Sequence, residues 1–189
     1  RNGSCYWVSI EVQPIRNDSG EVVNFMAVES DITQRRSDEQ RRALQFNVSR
    51  ILNESQSVAR ASARIIQEIC KRLGWIQGGL WTLDENLDCL TLTENWHEAT
   101  LDMRSFTEAS YALAFERGVG LPGRVWASRT SHWIPDVMVD INFPRANTAA
   151  EAGLHGALAF PILNQGRVLG VFEFFSQRIE QPDDALLQA

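Results

Sequence analysis

The sequence predicts an α+β fold in which antiparallel strands are layered with helices. Apolar runs come in two pairs joined by short polar turns, at residues 78–83 with 90–96 and at 157–163 with 168–175. Helical stretches are predicted before, between and after these pairs, one of them around residues 106–115, and a short strand is predicted at 132–137. The composition, 44% hydrophobic and 22% charged over 189 residues, is that of a globular chain.

Composition and charge exclude several classes of function. Residues 75–189 carry 15 acidic and 7 basic side chains, so this part repels phosphate backbones and we expect no nucleic-acid partner. No apolar run approaches the ~20 residues of a membrane span, and we expect no membrane contact. The cysteines Cys5, Cys70 and Cys89 lack metal-ligand spacing. We therefore expect no metal site and a cytoplasmic location.

The chain opens with the pattern of a β-hairpin. Apolar residues alternate with more polar ones over residues 6–15, which is typical of a strand with one wetter face. Residues 17–20, Asn-Asp-Ser-Gly, supply turn chemistry, and a second strand is predicted at 22–28. An isolated hairpin is marginal in water, so we expect this one to end a larger sheet.

A long amphipathic helix is predicted over residues 34–73, because this stretch has no Pro or Gly and Gly74 follows as a C-cap. The polar cluster at 53–57 predicts a break, after which the second piece should pack on the next domain. Apolar residues follow a 4-3 spacing: Leu44, Val48, Ile51, Val58, Ile65 and Ile69. We interpret Leu44, Val48 and Ile51 as the seam of a homodimeric coiled coil. The alternative is that the whole stripe packs on a globular core.

Two family resemblances refine this organisation. Tyr6-Trp7-Val8, Pro14-Ile15, Gly20, Phe25 and Asp31-Ile32-Thr33 resemble the last two strands of a PAS domain, whose Asp-Ile-Thr triplet marks the exit into a signalling helix. A second series resembles a GAF domain: Gly74-Trp75, Leu80-Trp81, Gly-Leu-Pro-Gly-Arg-Val-Trp at 120–126, Trp-Ile-Pro-Asp-Val at 133–137, Asn-Phe-Pro-Arg-Ala at 142–146, Gly153-Leu154, Ala-Phe-Pro-Ile at 159–162 and the run at 170–176.

The GAF resemblance implies a six-stranded antiparallel sheet with helices on both faces. The first and last helices would cover one face, and the other would form a small-molecule pocket closed by residues 97–154. We therefore divide the chain into a PAS-tail hairpin at 1–33, a connecting signalling helix at 34–53 and a GAF domain at 54–189 whose last helix is truncated.

Both series of motifs are similar to those in the sensor segments of bacterial two-component histidine kinases. We expect a regulatory segment that couples a ligand or partner to dimeric helices and to an output domain in the same chain. A diguanylate cyclase or phosphodiesterase is the alternative parent. A pure dimerisation module with a vestigial pocket is the alternative function.

Catalysis and cofactors are not expected in this segment. The sequence has no G-x-S-x-G, H-E-x-x-H or C-x-x-C motif, so no catalytic residue is assigned. Phytochrome-type GAF domains bind a bilin through a Cys just before the fourth strand, and residues 140–158 contain no Cys, which excludes covalent bilin attachment there. His132 and His155 are weak candidates for haem ligands. Some GAF-like proteins reduce free methionine sulfoxide with pocket cysteines, but Cys70 and Cys89 are better interpreted as small hydrophobes. No cofactor is expected, although an unidentified ligand is compatible with the sequence.

The candidate ligand pocket combines aromatic side chains with two polar groups. Its residues are Trp81, Trp96, Trp126, Trp133, Asp136, Phe143 and Arg145. The alternative is that the tryptophans fill the core and Arg145 pairs with an acidic neighbour. Glu173 interrupts an apolar strand, and we expect it to face solvent or to form a structural ion pair with an arginine such as Arg124.

Overall fold

The chain divides into two compact units, Arg1–Ala43 and Leu44–Ala189. The computed structural model describes residues 6–36, 38–39, 42 and 58–179. Across these described stretches, no helix has both the length and the apolar character that crossing a membrane requires.

The first unit is a β-hairpin followed by the start of a helix. Strands β1 (Val8–Arg16) and β2 (Val22–Asp31) pair antiparallel. In the turn, Asn17 Oδ1 accepts hydrogen bonds from the backbone amides of Ser19 and Glu21. At the exit, Asp31 Oδ1 accepts a hydrogen bond from the amide of Thr33, where the helical residues 33–36 begin. The short polar side chains thus make the turn and the helix start that the sequence indicates.

The hairpin exposes large apolar side chains on both of its faces. Those of Tyr6, Trp7, Ile10, Val12, Phe25, Met26 and Val28 are all exposed. A two-stranded sheet with such surfaces buries too little apolar area to be stable alone.

The second unit is built on one six-stranded sheet, which confirms the predicted α+β fold. Its strand order is β5-β4-β3-β8-β7-β6, and every neighbouring pair is antiparallel. The strands are β3 (Gln77–Asp84), β4 (Cys89–His97), β5 (Ala114–Phe115), β6 (His132–Ile134), β7 (Ala157–Asn164) and β8 (Arg167–Phe175). The helices are α1 (Val58–Leu73), α2 (Arg104–Tyr111), α3 (Gly120–Ser128) and α4 (Ala146–Glu151).

Both faces of the sheet are covered, and each has its own apolar core. Alternation along β8 sends Val171 and Phe175 into one core and Phe172 and Phe174 into the other. The first core lies beneath the segment 97–154, which we call the lid and which contains α2, α3 and α4. The second lies beneath α1.

Helix α1 packs its apolar stripe on β3 and β4. Ile65, Ile66 and Ile69 are buried against the sheet, and Gly74 ends the helix with a left-handed φ of +70°. Ile65 and Ile69, the last two members of the 4-3 stripe, therefore belong to the globular core. Leu44, Val48, Ile51 and the expected break at 53–57 lie outside the described residues.

Two elements are shorter than the sequence suggests. The helical stretch expected over 106–115 ends at Tyr111, and Phe115 instead pairs with Leu90 as part of β5. Phe115 is buried against Trp81, with ring centroids 4.7 Å apart, so tertiary burial decides its conformation. The strand expected over 132–137 ends at Ile134, because Pro135 has no N–H for the ladder.

The close packing of α1 on the sheet generates a stability prediction. A Cβ built at Gly78 would lie 2.6 Å from Ile66 Cγ2 and 2.8 Å from Phe174 Cδ1, so Gly78→Ala should push α1 off the sheet. We expect a loss of about 1–3 kcal/mol in unfolding free energy, measured by urea denaturation. Gly79→Ala is the matched control, since the nearest atom to its Cβ would be the Leu92 Cδ1 methyl tip, at 3.0 Å, and every other neighbour lies at 3.5 Å or more. An equal or larger loss for the control would contradict this packing.

Candidate functional site

The site lies where the lid meets the sheet and is centred on Arg145. Arg145 caps the N-terminus of α4, and its carbonyl oxygen accepts a hydrogen bond from the amide of Ala149. Its side chain points into the interior and is 1% exposed. Lid backbone geometry thus holds a guanidinium at the centre of the domain.

Arg145 forms a bidentate ion pair with Glu173 of β8. Nη1 and Nη2 each donate to one carboxylate oxygen at 2.7 Å, and Nη1 also donates to Ser110 Oγ of α2 at 3.0 Å. The Ser110 hydroxyl itself donates to the carbonyl of Phe106. Two parallel charge-assisted bonds form the strongest common geometry for a guanidinium and a carboxylate. One lid side chain therefore joins α2, α4 and the sheet.

Five aromatic rings surround the Arg145 guanidinium. Their centroids lie 4.9–5.4 Å from Cζ, within cation–π range. We call these residues the aromatic cage: Trp81, Phe106, Phe115, Phe143 and Phe175. The rings come from the lid and from strands β3, β5 and β8, so the cage exists only when the lid is seated on the sheet.

Two donors in the cage lack an acceptor among the described residues. They are Arg145 Nε and Trp81 Nε1, both buried. Burial of charge without complete hydrogen bonding costs free energy, which the bidentate pair and the rings offset. The ion pair thus fixes one position of the lid on the sheet.

Four of the seven predicted pocket residues lie on the lid side of the sheet. Trp81, Phe143 and Arg145 meet in the cage, and Trp126 packs in the surrounding core beneath the guanidinium of Arg117, 4.6 Å from its ring centroid. Their placement matches the alternative in which these side chains fill the core and Arg145 pairs with an acidic residue.

The other three pocket candidates are engaged elsewhere. Trp96 and Trp133 pack against the core beneath α1, with Trp133 edge-on to Trp75 at 5.4 Å between centroids. Strand alternation sends them to the opposite face, which a sequence without known register does not reveal. Asp136 accepts a hydrogen bond from His155 Nδ1 at 3.0 Å, and this bond lowers the pKa of the carboxyl.

The structure corrects the partner named for Glu173. Arg124 instead pairs with Asp140 at 3.0 Å and donates to the carbonyl of Gly120, both within the lid. Glu173 is fully buried and binds Arg145. The expectation of a structural ion pair holds, but the identity of the arginine could not be read without the fold.

Sequence reasoning missed Ser110, Phe106, Phe115 and Phe175 as parts of the site. The available signal was Glu173 itself, an acidic residue in an apolar strand, because such a charge requires a buried cationic partner. Which aromatic rings surround that pair depends on the lid path and leaves no local pattern.

The cysteines do not contribute to the cage. Cys70 lies in the core beneath α1, and burial raises the pKa of its thiol to about 12, so it is protonated at neutral pH. Cys89 is buried at the start of β4. No group of three or more metal-ligating side chains occurs within the described ranges.

The ion pair generates a second prediction. Arg145→Met leaves the Glu173 carboxylate buried without its partner and should cost about 3–5 kcal/mol of unfolding free energy. Adding Glu173→Leu removes the stranded charge, so the double variant should recover much of that loss in urea denaturation. Arg124→Met is the control, because its pair with Asp140 is partly exposed and should cost less. Additive losses in the double variant would contradict the assignment.

Several solved structures share this fold. The free methionine-R-sulfoxide reductase from Neisseria meningitidis, in complex with its substrate, matches with a TM-score of 0.63 and 18% identity, over 81% of this chain and 82% of that one. The GAF domain of a phosphoenolpyruvate-protein phosphotransferase from Coxiella burnetii gives 0.64 and 18%, over 79% and 84%. The A. aeolicus nlh2 GAF domain, in an inactive state, gives 0.62 and 17%, over 80% and 86%.

Two curated relatives come from Arabidopsis thaliana. Protein NLP2 is 37% identical over 81 residues, which are 38% of this chain and 8% of the relative. Protein NLP3 is 30% identical over 135 residues, which are 68% of this chain and 18% of the relative. The chain thus spans less than a fifth of the length of either protein.

The family model described as "GAF domain" matches residues 55–189. This range includes α1, the whole six-stranded sheet and the lid with its aromatic cage. The chain therefore belongs to the GAF domain family, whose members are sensory and regulatory signalling modules.

Proposed function

We propose that this chain is the regulatory segment of a bacterial signal-transduction protein, in which the GAF domain couples the state of its lid to the helices that flank it. The observation that supports this most is the alternation along β8. Glu173 binds the lid on one face, while its neighbours Phe172 and Phe174 pack beneath α1 on the other. A change at the lid therefore reaches a strand that α1 rests on.

Close packing supports β8 as the carrier of the signal. Protein interiors transmit small displacements because they contain few voids. Ile66 of α1 and Phe174 of β8 both pack so closely on Gly78 of β3 that a Cβ there would lie 2.6 and 2.8 Å from them. A movement of β8 would therefore alter the packing of α1 on the sheet. A ligand or partner that favours one lid position would thereby favour one helix position.

The parent protein we propose is a two-component sensor histidine kinase located in the cytoplasm, with a PAS domain before the connecting helix. The exposed apolar faces of the hairpin support a missing layer of PAS sheet, and Asp31 caps the helix start as the Asp-Ile-Thr exit requires. A diguanylate cyclase or phosphodiesterase is the alternative parent. The full coding sequence decides between them: a phosphoacceptor histidine helix with an ATP-binding domain supports the kinase, and a cyclase or phosphodiesterase domain overturns it.

We propose no catalytic role and no cofactor for this segment. The likeness to free methionine-R-sulfoxide reductase makes reduction of a sulfoxide the enzymatic alternative. Such chemistry needs a thiolate near the substrate. Cys70 is protonated and lies on the α1 side of the sheet, which argues against that alternative.

The rival proposal is a dimerisation module whose pocket is vestigial. The filled cage favours it, because the Arg145 side chain and five rings occupy the space beneath the lid. The two proposals differ in whether the lid and α1 respond to each other.

Hydrogen exchange tests the coupling. Glu173→Gln keeps the side-chain volume but removes the charge that Arg145 binds, so the amides of α4 should exchange faster. If β8 couples the two faces, the amides of α1 should also exchange faster, and by more than those of β3. Glu85→Gln is the matched control, since it removes an exposed pair with Arg167. Faster exchange in α4 with α1 unchanged would favour the rival module.

The connecting helix generates a prediction about dimerisation. Glu at Leu44 and Ile51 would place four like charges in the proposed dimer seam, so the double variant should sediment as a monomer. Its GAF domain should remain folded, because the core beneath α1 draws on Ile65, Ile66 and Ile69. Leu87→Glu with Ile179→Glu repeats the same chemistry at exposed positions and should stay dimeric. A seam variant that stays dimeric, or that unfolds entirely, would contradict the seam.

A further inference from the structure

The surroundings of the Arg145 guanidinium form a complete recognition site for a planar cation. Glu173 presents both carboxylate oxygens to the two terminal nitrogens, Ser110 Oγ accepts a third hydrogen bond, and the aromatic cage supplies rings around the cation. Apart from Arg145 itself, only Phe143 comes from the segment that leads into α4, and all the other groups belong to the sheet or to α2. The carboxylate, the hydroxyl and four of the five rings are thus held independently of α4.

We propose that this site is the ligand site of the domain, that its ligand is a small guanidinium compound, and that Arg145 occupies it in the state described here. The inference rests on the proposed sensory function and names its ligand class. In this account Arg145 acts as an intramolecular ligand that holds the lid closed until a free guanidinium replaces it.

The carboxylate and hydroxyl restrict the chemistry of the ligand. A guanidinium fits the two parallel acceptors of Glu173, whereas an ammonium presents its donors as a point charge and cannot form the fork. An anionic ligand would meet the buried Glu173 carboxylate and a wall of aromatic rings. The site therefore selects for a planar, delocalised cation.

The attachment of Arg145 suits a displaceable occupant. It lies at the N-cap of α4, a helix of 6 residues, so its withdrawal alters one short lid element and no strand pairing. Its Nε donor has no acceptor among the described residues, so a free ligand forfeits nothing there. Withdrawal of Arg145 would release α4 from both α2 and β8, because the same guanidinium bonds Ser110 and Glu173.

The test uses Arg145→Ala in the full chain with methylguanidinium as the probe. Truncation removes the tethered competitor and leaves its stem path open, so methylguanidinium should bind saturably and raise the melting temperature. Binding is followed by tryptophan emission, since Trp81 lies in the cage. The wild-type chain should bind about tenfold or more weakly, because Arg145 competes at high effective concentration.

Three controls define the chemistry of the response. Urea, the neutral analogue of the probe, should have no effect at the same millimolar concentration. Arg145→Ala with Glu173→Gln should lose binding, because the carboxylate charge is gone. Arg124→Ala removes another lid arginine that pairs with a carboxylate but lies over no aromatic ring in the described part of the chain, and it should gain no response to the probe.

Each outcome decides the proposal. Saturable binding to Arg145→Ala that depends on Glu173 supports it. A folded Arg145→Ala that ignores methylguanidinium, or binding that survives Glu173→Gln or equals that of wild type, overturns it. If Arg145→Ala does not fold, the probe should restore native circular dichroism and tryptophan emission, and a failure to do so also overturns it. None of these results depends on the exchange of α1 amides, so the coupling function can fail or stand separately.

Discussion

The architecture of this domain depends on one buried interaction, the ion pair between Arg145 and Glu173. Two unit charges at 1% exposure are tolerated only because both are bidentate partners within a ring of aromatic side chains. Removing either partner strands the other, so the pair specifies a single arrangement of lid and sheet. Its hydrogen bond to Ser110 extends that constraint to α2.

The position of Glu173 on a central strand gives the pair consequences beyond the lid. β8 lies between β3 and β7, and its side chains alternate between the two cores. The core beneath the lid and the core beneath α1 therefore lie on opposite faces of the same strand. In the regulatory role that we propose, a change at the lid reaches α1 through this strand. On the α1 face of the sheet, Gly78 lets α1 pack closely, as Glu173 holds the lid on the other face.

Much of the fold could be predicted from the sequence because its signals are local. Paired apolar runs gave the strands, Gly74 marked the end of α1, and Asn17 and Asp31 marked turn and cap. The strand conformation of Phe115 could not be predicted from local signals, because it results from burial against Trp81 and not from the neighbouring residues in the chain.

The site was less predictable, since it depends on register and on the lid path. Trp81, Phe143 and Arg145, three of the predicted pocket residues, lie together on the lid side, whereas Trp96 and Trp133 pack on the other face of the sheet. One residue of register separates the two outcomes in a strand. Glu173 in an apolar strand indicates a buried cationic partner but does not identify it. The path of the lid in three dimensions brings Arg145, and not Arg124, to this carboxylate.

A double-mutant cycle across the sheet measures the central claim most directly. Arg145→Met perturbs the lid, and Ile66→Val trims one methyl group from α1 on the opposite face. Distant sites without shared partners add within about 0.3–0.5 kcal/mol. Coupling through β8 predicts a larger deviation from additivity in unfolding free energy for this pair, and none for Arg145→Met with the exposed Ile179→Val. Strict additivity for Arg145 and Ile66 would contradict the account.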